Sequence, residues 1–392
     1  MHSVELFAGA GGLAMGMANA GFDHAAVIEW DEDACETFRQ NQRHHLPALK
    51  HWPLHQADVR GFDFSSISQD VVVVSGGPPC QPFSLGGKHK GYRDQRDMFP
   101  EAVRAVRELH PKAFIFENVK GLMRETFASY FGYIQLQLMY PGVTRSAAEK
   151  WQGHRERLER HHTSRRGRSE YKLVFQLLNA ADYGVPQRRE RVFMVGFRAD
   201  LDVQWSFPET THSETSLLRS QWVTGDYWER HEVSKRSRPQ MPARLASRVD
   251  LLKRGDLFVE LKEDWQTVRD ALSDLPDPER WKRNEIANHE FMPGARPYPG
   301  HTGSPLDEPA KTLKAGDHGV PGGENMLARA DGTVRYFTVR EAARLQTFPD
   351  GYVFSGSWTE NMRQLGNAVP VRLAETVAGS VAHSLRLYAG RR

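Results

Sequence analysis

The stretch Glu5-Leu6-Phe7-Ala8-Gly9-Ala10-Gly11-Gly12-Leu13-Ala14 decides the fold, because it reads as a glycine-rich turn between a strand and a helix. Glycines there allow a tight turn and let a ligand approach the backbone. Glu29 ends the next apolar run, placed to accept hydrogen bonds from a ribose. The pattern predicts a nucleoside cofactor. Gly9, Gly11 and Ala14 also satisfy the loose G-x-G-x-x-G/A pattern, so NAD and S-adenosylmethionine stay equally open here.

Two residues after this turn are candidates for binding an adenine. Trp30 follows Glu29 directly and could stack on the base, although core packing explains a lone tryptophan equally well. Asp58 follows the position of a third strand and could accept a hydrogen bond from the adenine amino group. The alternative for Asp58 is a simple helix cap.

Short apolar runs alternate with amphipathic stretches in the first part of the chain, which predicts an α/β domain with a mostly parallel sheet. The predicted strands lie at 4–7, 25–29, 71–75, 113–116, 173–178 and 191–197. A long basic segment at about 125–172 is predicted to be an insertion. Helical patterns at 338–346 and 371–387 close the chain.

The length of 392 residues predicts two domains, since a single core rarely grows beyond about 250–300 residues. We expect a catalytic and cofactor-binding domain at 1–200. A second, smaller domain of loops and short strands is expected at 201–335, where Pro, Gly, Trp, Arg and Lys are frequent.

Composition excludes several classes of protein. The longest aliphatic run, 71–74, is far shorter than the ~20 apolar residues of a membrane span. The N-terminus lacks the pattern of a secretory signal, so a cytoplasmic location is expected. The two cysteines, Cys35 and Cys80, cannot build a disulfide framework or a cysteine-rich zinc site. The net charge of +3 is too small to indicate a nucleic-acid partner by itself.

The segment Gly76-Gly77-Pro78-Pro79-Cys80-Gln81-Pro82-Phe83-Ser84 directly follows the aliphatic strand. Its prolines exclude a helix and hold the Cys80 thiol at the carboxyl end of a strand, where ligand sites of open α/β sheets lie. A lone cysteine is usually a small buried hydrophobe, which is our interpretation of Cys35 in the helical stretch 31–40. A rigid Gly/Pro loop is a poor place to bury a residue, so Cys80 is the candidate for chemistry.

Charged residues mark two further strands. Phe114-Ile115-Phe116-Glu117-Asn118-Val119 ends in an acid, which makes Glu117 a candidate proton or hydrogen-bond donor with a raised pKa, unless it is a cap or a surface acid. In Val185-Pro186-Gln187-Arg188-Arg189-Glu190-Arg191, alternation places Arg189 and Arg191 on one side of a strand. They form either a solvated edge or a site for a nucleobase or phosphate.

In this order, these segments resemble the motifs of the cytosine-C5 DNA methyltransferase family of the bacterial restriction-modification type. The closing segments Thr338-Val339-Arg340-Glu341 and Gln364-Leu365-Gly366-Asn367-Ala368-Val369-Pro370 belong to the same resemblance. It covers the first half of the chain and roughly the last 50 residues. It implies a Rossmann-like S-adenosylmethionine-dependent domain and a smaller target-recognition domain.

The resemblance also implies a reaction. Cys80 would add to C6 of a cytosine, so that C5 attacks the methyl donor, and a surrounding of arginines could favour its thiolate. Glu117 would hold the base at N3 and its amino group. Arg189 and Arg191 would contact the base or the active-site loop. Loss of the C5 proton and of Cys80 would then release 5-methylcytosine.

The cofactor pocket implied by the resemblance draws on both ends of the chain, and no metal is expected. The S-adenosylmethionine contacts would be Phe7, Gly9, Gly11, Leu13, Glu29, Trp30, Asp58, Val59, Pro79, Asn367 and Val369. Because Asn367 and Val369 lie near the C-terminus, segment 336–392 is expected to pack back onto the catalytic domain.

Double-stranded DNA is the implied partner, and a target base must be flipped out to reach such a pocket. The expected DNA contacts are Gln81, Ser84, Lys88, Lys90, Thr312 and Leu313. The glycine-rich, basic loop 84–91 is predicted to be a mobile lid, and about 207–335 to read the DNA sequence. The basic insertion either adds phosphate contacts or forms a solvated helix.

Three rival functions remain. A branch of the same family methylates transfer RNA and carries an extra Cys-Phe-Thr segment, but no cysteine follows Cys80. An inert DNA-binding relative could lose Cys80, Glu117 or the arginines freely, and all are present. The third alternative, a nicotinamide dehydrogenase, accounts for the glycine turn but leaves the cysteine loop, Glu117 and the arginine strand unexplained. A monomer is expected, with a restriction endonuclease as a separate partner.

Overall fold

The structure is a computed structural model that describes residues 1–44, 46–79, 97–164, 168–255, 262–281, 285–299, 302–315 and 323–390. The chain divides into two compact units. Unit 1 comprises Met1–Leu178, Glu190–Pro208 and Ala374–Arg392, and unit 2 comprises Asn179–Arg189 and Glu209–Leu373.

Unit 1 is built on a seven-stranded sheet with the order β3-β2-β1-β4-β5-β7-β6. Its strands are β1 (His2–Leu6), β2 (Asp23–Glu29), β3 (Leu54–Gln56), β4 (Val71–Gly76), β5 (Ala113–Val119), β6 (Tyr171–Asn179) and β7 (Glu190–Arg198). The pairs from β3 to β5 are parallel, and β7 runs antiparallel to β5. The predicted α/β class and mostly parallel sheet are therefore confirmed.

Helices connect the strands of unit 1, as parallel pairing requires crossover connections. They are α1 (Gly12–Asn19), α2 (Glu32–His44), α3 (Phe99–Leu109), α4 (Ala128–Met139) and α5 (Trp151–Thr163), joined by most of α12 (Val371–Ala389). Val71 to Val74 are all buried, which explains their uninterrupted aliphatic sequence. The core lies between the sheet and these helices.

The predicted insertion is partly regular structure. Within 125–172, the structure has α4, α5 and the start of β6. Leu158 and His154 of α5 are buried, and Arg155 and Arg157 form ion pairs with Glu159 and Glu149. Two arginines of the segment are therefore paired within it, and the choice between phosphate contacts and a solvated helix stays a prediction.

Unit 2 consists of short elements, as its sequence predicts. Its strands are β8 (His212–Ser213), β9 (Glu263–Asp264), β10 (Ser304–Pro305), β11 (Met326–Ala328) and β12 (Val334–Tyr336). Its helices are α6 (Glu214–Arg219), α7 (Asp226–Arg230), α8 (Ala246–Arg254), α9 (Val268–Leu272), α10 (Val339–Leu345) and α11 (Trp358–Asn367). One small core gathers Leu217, Tyr227, Trp228 and Trp265 around Ala181.

The compact units differ from the predicted boundaries in two places. Residues 179–189 and 336–373 group with unit 2, not with the catalytic domain. Only the part of the C-terminal segment from Ala374 onward belongs to unit 1. There Asn19 donates to Glu375 and Arg386 donates to the Ala20 carbonyl, so α12 packs against α1.

Among the helices of the described ranges, none combines the length and apolar character needed to span a membrane.

Candidate active site

The glycine turn joins β1 to α1 at the carboxyl end of the sheet. Phe7, Gly9 and Gly11 have φ values of 55°, 52° and 81°, so the chain reverses through left-handed conformations that favour glycine. A Cβ on Gly11 would lie 2.6 Å from the Phe38 ring, whereas one on Gly9 would meet no atom within 4 Å. Gly11 is therefore required by packing, and Gly9 borders open space.

Glu29, at the end of β2, holds this turn in place. Its Oε2 accepts from the Gly9 N–H at 2.7 Å, and its Oε1 accepts from Trp30 and Asp31 N–H at 2.8 Å each. Burial raises the pKa of the Glu29 carboxyl, and the three backbone donors oppose that shift. A carboxylate fixed in this way still has lone pairs to offer a hydroxyl ligand.

The neighbouring residues differ in exposure. The Trp30 side chain is 71% exposed, so core packing does not explain it, and its ring is available for stacking. Asp58 caps a short turn by accepting from the Arg60 N–H at 3.0 Å and pairs with the Arg60 guanidinium, which lowers the Asp58 pKa. Leu13 and Val59 are both buried. For Asp58, the cap is present, and an adenine contact would share its carboxylate with Arg60.

The predicted nucleophile lies just beyond the described residues. Pro78 is buried and Pro79 is exposed at the exit of β4, and Cys80 to Arg96 lie outside the described ranges. The predictions for Cys80, Gln81, Ser84, Lys88, Lys90 and the lid at 84–91 therefore remain predictions. The two ends of this segment are joined, because Met98 N–H donates to the Pro79 carbonyl at 3.1 Å.

Glu117 and Arg191 form a buried ion pair at the same end of the sheet. Val119 lies opposite Arg191 in the β5–β7 ladder, so Glu117, two residues earlier, faces the same side. Arg191 Nε lies 2.7 Å from Glu117 Oε1, and the two side chains are only 11% and 8% exposed. Burial lowers the pKa of Arg191, and the Glu117 carboxylate opposes that shift.

This ion pair faces the loop that leads to Cys80. A Cβ on Gly77 would lie 3.3 Å from Glu117 Oε2, so the carboxylate packs directly against the Gly77 backbone. The next residue along β5, Asn118, donates from Nδ2 to the Pro78 carbonyl at 2.9 Å. Glu117 and Asn118 thus hold the backbone that precedes the cysteine.

The second predicted arginine has a different environment. Arg189 is fully buried in unit 2, where it donates to the carbonyl oxygens of Leu313 at 3.0 Å and Gly366 at 2.6 Å. The buried Gln187 makes similar contacts, accepting from Leu313 N–H and donating to the Leu345 carbonyl. These contacts favour a positioning role for Arg189 over the catalytic role predicted from the sequence.

The remaining predicted contacts also lie in unit 2. Thr312 donates its hydroxyl to the Arg188 carbonyl at 2.7 Å and is half-buried. Leu313 is 1% exposed, so its side chain packs in the core. The side chain is therefore not available for the DNA contact that the sequence predicts. Asn367 ends α11 with an exposed side chain, whereas Val369 is buried.

Sequence reasoning missed a further buried acid, Glu5. Glu5 of β1 lies opposite Ser75 of β4, and the Ser75 hydroxyl donates to its side-chain carboxyl group. Burial raises the pKa of Glu5 to about 8. An acid at the end of an apolar strand was the signal that singled out Glu117, and it applies equally to Glu5.

The interpretation of Cys35 as a buried residue is confirmed. Its side chain has no exposed surface, its Sγ donates to the Glu29 carbonyl at 3.5 Å, and burial raises its pKa to about 12. A thiol of this kind is a poor nucleophile, because the thiolate is the reactive form.

Comparison with known proteins gives a family match. The family model described as "C-5 cytosine-specific DNA methylase" matches residues 1–139 and 164–383. The residues between these two ranges, 140–163, include all of α5.

Curated relatives match nearly the whole chain. Type II methyltransferase M.Eco47II of Escherichia coli is 30% identical over 97% of this chain and 79% of its own length. Type II methyltransferase M.XorII of Xanthomonas oryzae pv. oryzae is 31% identical over 98% of this chain and 85% of its own length.

Solved structures agree on the fold. The S. pombe Dnmt2 methyltransferase aligns with a TM-score of 0.56 at 17% identity, covering 99% of this chain and 98% of its own. The Entamoeba histolytica methyltransferase EhMeth aligns with a TM-score of 0.55 at 14% identity, covering 98% of each chain.

Proposed function

Because the chain belongs to the C-5 cytosine-specific DNA methylase family, it is an enzyme that methylates DNA at carbon 5 of cytosine, and we propose how its residues do so. Its curated relatives are named Type II methyltransferases. The proposal concerns the methyl donor, the roles of the site residues and the partners.

S-adenosylmethionine is the proposed methyl donor, and the β1–β2 end of the sheet fits it. The open space at Gly9 suits a part of the ligand that lies against the backbone. The exposed Trp30 ring suits the face of an adenine, and the fixed Glu29 carboxylate suits ribose hydroxyls. When bound, the donor supplies an electrophilic methyl group. Phe7, Gly11, Leu13, Asp58, Val59, Pro79, Asn367 and Val369 complete the proposed set.

Cys80 is the proposed nucleophile. Its thiolate adds to C6 of the target cytosine, and the electron pair of the C5–C6 bond moves to C5, which becomes nucleophilic. After C5 is methylated, loss of the C5 proton and departure of the Cys80 thiolate restore the aromatic ring. Cys35 cannot replace it, since it is buried in the core.

Glu117 is the proposed group that holds the base. A carboxylate beside Gly77 can accept from the cytosine amino group and stabilise a proton on N3 as charge builds on the ring. Arg191 fixes the carboxylate through Nε, and Oε2 lies toward the Gly77 backbone. Arg189 is proposed to act through the backbone of Leu313 and Gly366.

Double-stranded DNA is the proposed substrate, with the target nucleotide flipped out of the helix at a cost of a few kcal/mol. Unit 2 is the proposed reader of the recognition sequence, and Thr312 is a proposed DNA contact within it. Gln81, Ser84, Lys88 and Lys90 are proposed to contact the DNA around the flipped base. The enzyme is proposed to work as a monomer in the cytoplasm, with a restriction endonuclease acting separately.

The observation that carries this proposal is the buried Glu117–Arg191 ion pair beside the backbone that leads to Cys80. The test incubates the purified protein with S-adenosylmethionine and unmethylated double-stranded DNA and maps 5-methylcytosine at base resolution. We expect one short sequence to be methylated throughout by the wild-type protein, and not at all by Cys80→Ala.

The matched control is Cys35→Ala, which removes the other thiol and should retain methylation. Methylation by Cys80→Ala would exclude the proposed nucleophile. Absence of methylation with all three proteins would overturn the proposed substrate, and the same assay on transfer RNA would follow.

A further inference from the structure

The segment between the two ranges that the family model matches makes several contacts within unit 1. Residues 140–163 lie between the two matched ranges, and α5 occupies 151–163. Buried His154 of α5 bonds to the Tyr133 hydroxyl at 2.8 Å and to the Val143 carbonyl at 2.7 Å. His162 bonds to the Tyr140 hydroxyl at 2.7 Å. The inserted helix therefore has a fixed position against α4.

The first residue of α5 packs on a tyrosine of α4. The Trp151 ring meets the Tyr130 ring edge-on, with centroids 5.4 Å apart and an interplanar angle of 85°. Tyr130 is 7% exposed, and it also contacts Tyr133 at 5.8 Å between centroids. These contacts hold the Tyr130 ring between the inserted helix and its own helix, where few rotamers are open to it.

The Tyr130 hydroxyl bonds to the Asp97 carboxylate, the first described residue after the cysteine-bearing segment. Asp97 also accepts from the Phe99 N–H at 3.3 Å, which ties it to the first turn of α3. Between these two residues, Met98 N–H donates to the Pro79 carbonyl at 3.1 Å. Contacts therefore run from α5 through Tyr130 and Asp97 to Pro79, the neighbour of Cys80.

We propose that Tyr130 and Asp97, supported by Trp151 of the inserted helix, are positioning residues that hold the Pro79–Met98 stem and thereby place Cys80 for attack on the base. The inference rests on the proposed role of Cys80. A misplacement of the nucleophile by about 1 Å lowers the rate of the chemical step strongly, with little effect on binding.

The test compares Tyr130→Phe, Asp97→Asn, their double variant and Trp151→Leu with the wild-type protein. Tyr130→Phe keeps the ring and removes only the hydroxyl, so the fold should persist. We expect each single variant to lose about tenfold in kcat, with KM for DNA and for S-adenosylmethionine changed less than twofold. The double variant should be no slower than the slower single variant, because both changes act on the same Tyr130–Asp97 hydrogen bond.

The matched control is Tyr133→Phe, which removes a neighbouring hydroxyl of α4 that bonds to the same inserted helix but not to Asp97. It should leave kcat unchanged even where it lowers the melting temperature. Any one of three results would overturn the proposal. They are a loss of kcat in the double variant equal to the product of the two single losses, a wild-type kcat in Tyr130→Phe, and a loss of kcat in Tyr133→Phe as large as that in Tyr130→Phe.

A second readout does not depend on methylation. The rate of Cys80 alkylation by iodoacetamide, followed by mass spectrometry without DNA, reports how the thiol is held, and the buried Cys35 serves as an internal unreactive site. Tyr130→Phe and Asp97→Asn should each raise this rate at least threefold, and Tyr133→Phe should not. If the wild-type protein fails to methylate DNA, the proposed function fails, whereas unchanged alkylation rates in both variants would refute the positioning role alone.

Discussion

Glu5 and Glu29 are two buried acids at the ends of neighbouring strands. They differ in the hydrogen-bond donors that surround their carboxyl groups. Three backbone N–H groups converge on Glu29, which is the arrangement that stabilises a carboxylate. The described contacts of Glu5 are confined to one hydroxyl, that of Ser75, and burial raises its pKa to about 8. Glu29 can therefore serve a ligand as an acceptor, whereas Glu5 keeps its proton at neutral pH and joins β1 to β4.

Glu5→Gln should change how stability depends on pH. The folded-state pKa of about 8 lies above the ordinary value of 4.5, so the contribution of Glu5 is fully present below pH 4.5 and is lost as pH rises through 8. The free energy of unfolding of the wild-type protein, relative to Glu5→Gln, should fall by about 1.4 kcal/mol per pH unit across this window. Denaturant unfolding at pH 5, 6.5 and 8 measures this difference. A difference between the two proteins that stays the same at all three pH values would refute the assignment.

At the scale of elements, the glycine turn shows which glycines serve packing and which border open space. Gly11 is in contact with Phe38, so its substitution would test the core. Gly9 has a positive φ, but a Cβ added there would have no neighbouring atom within 4 Å. Its substitution therefore tests whether the open space beside it holds a ligand. The distinction cannot be made from the sequence, where both are glycines of one motif.

Gly9→Ala should weaken binding of S-adenosylmethionine by about tenfold, because the added methyl group enters the space proposed for the donor, and it should cost about 1 kcal/mol of stability through backbone strain. Gly332→Ala is the matched control, since Gly332 also has positive φ, 84°, and open space. It should show the strain cost without the loss of binding. Calorimetric titration and denaturant unfolding measure both, and equal affinities in the two variants would count against the proposed pocket.

At the scale of the whole molecule, the end of the chain returns to its beginning within unit 1. A Cβ on Gly16 of α1 would lie 2.4 Å from Ala374 Cβ and 2.6 Å from the Glu375 nitrogen, so α1 and α12 touch through this glycine. Trp205 also donates to Ser380 of α12 at 3.0 Å. The C-terminal helix is therefore part of the catalytic unit's core.

Gly16→Ala should lower the free energy of unfolding by about 1–3 kcal/mol, because the methyl group must displace backbone atoms of α12. Gly379→Ala, on α12 itself with nothing within 4 Å of its Cβ, should be neutral or stabilise by up to about 1 kcal/mol. Denaturant unfolding of the two variants gives the comparison. Equal effects would show that α1 and α12 do not pack closely at Gly16.

The sequence by itself determined the α/β class, the order of the motifs and the strand ends that carry Glu29 and Glu117. These follow from local rules, because apolar runs form strands, and glycine or proline ends them, whatever the rest of the chain does. The six strands predicted from such runs all match strands of the sheet to within a few residues. The short β3 has only three residues, too few for a clear pattern.

Only the tertiary structure decided that Arg189 and Arg191, which look alike in the sequence, have different partners. Alternation places Arg189 and Arg191 on one side of a strand, but Arg191 meets Glu117, whereas Arg189 meets carbonyl groups 124 and 177 positions away. It also decided that 179–189 and 336–373 group with unit 2. The physical reason is that a buried charge takes its role from its partners, and partners brought together by long-range folding leave no mark in the local sequence.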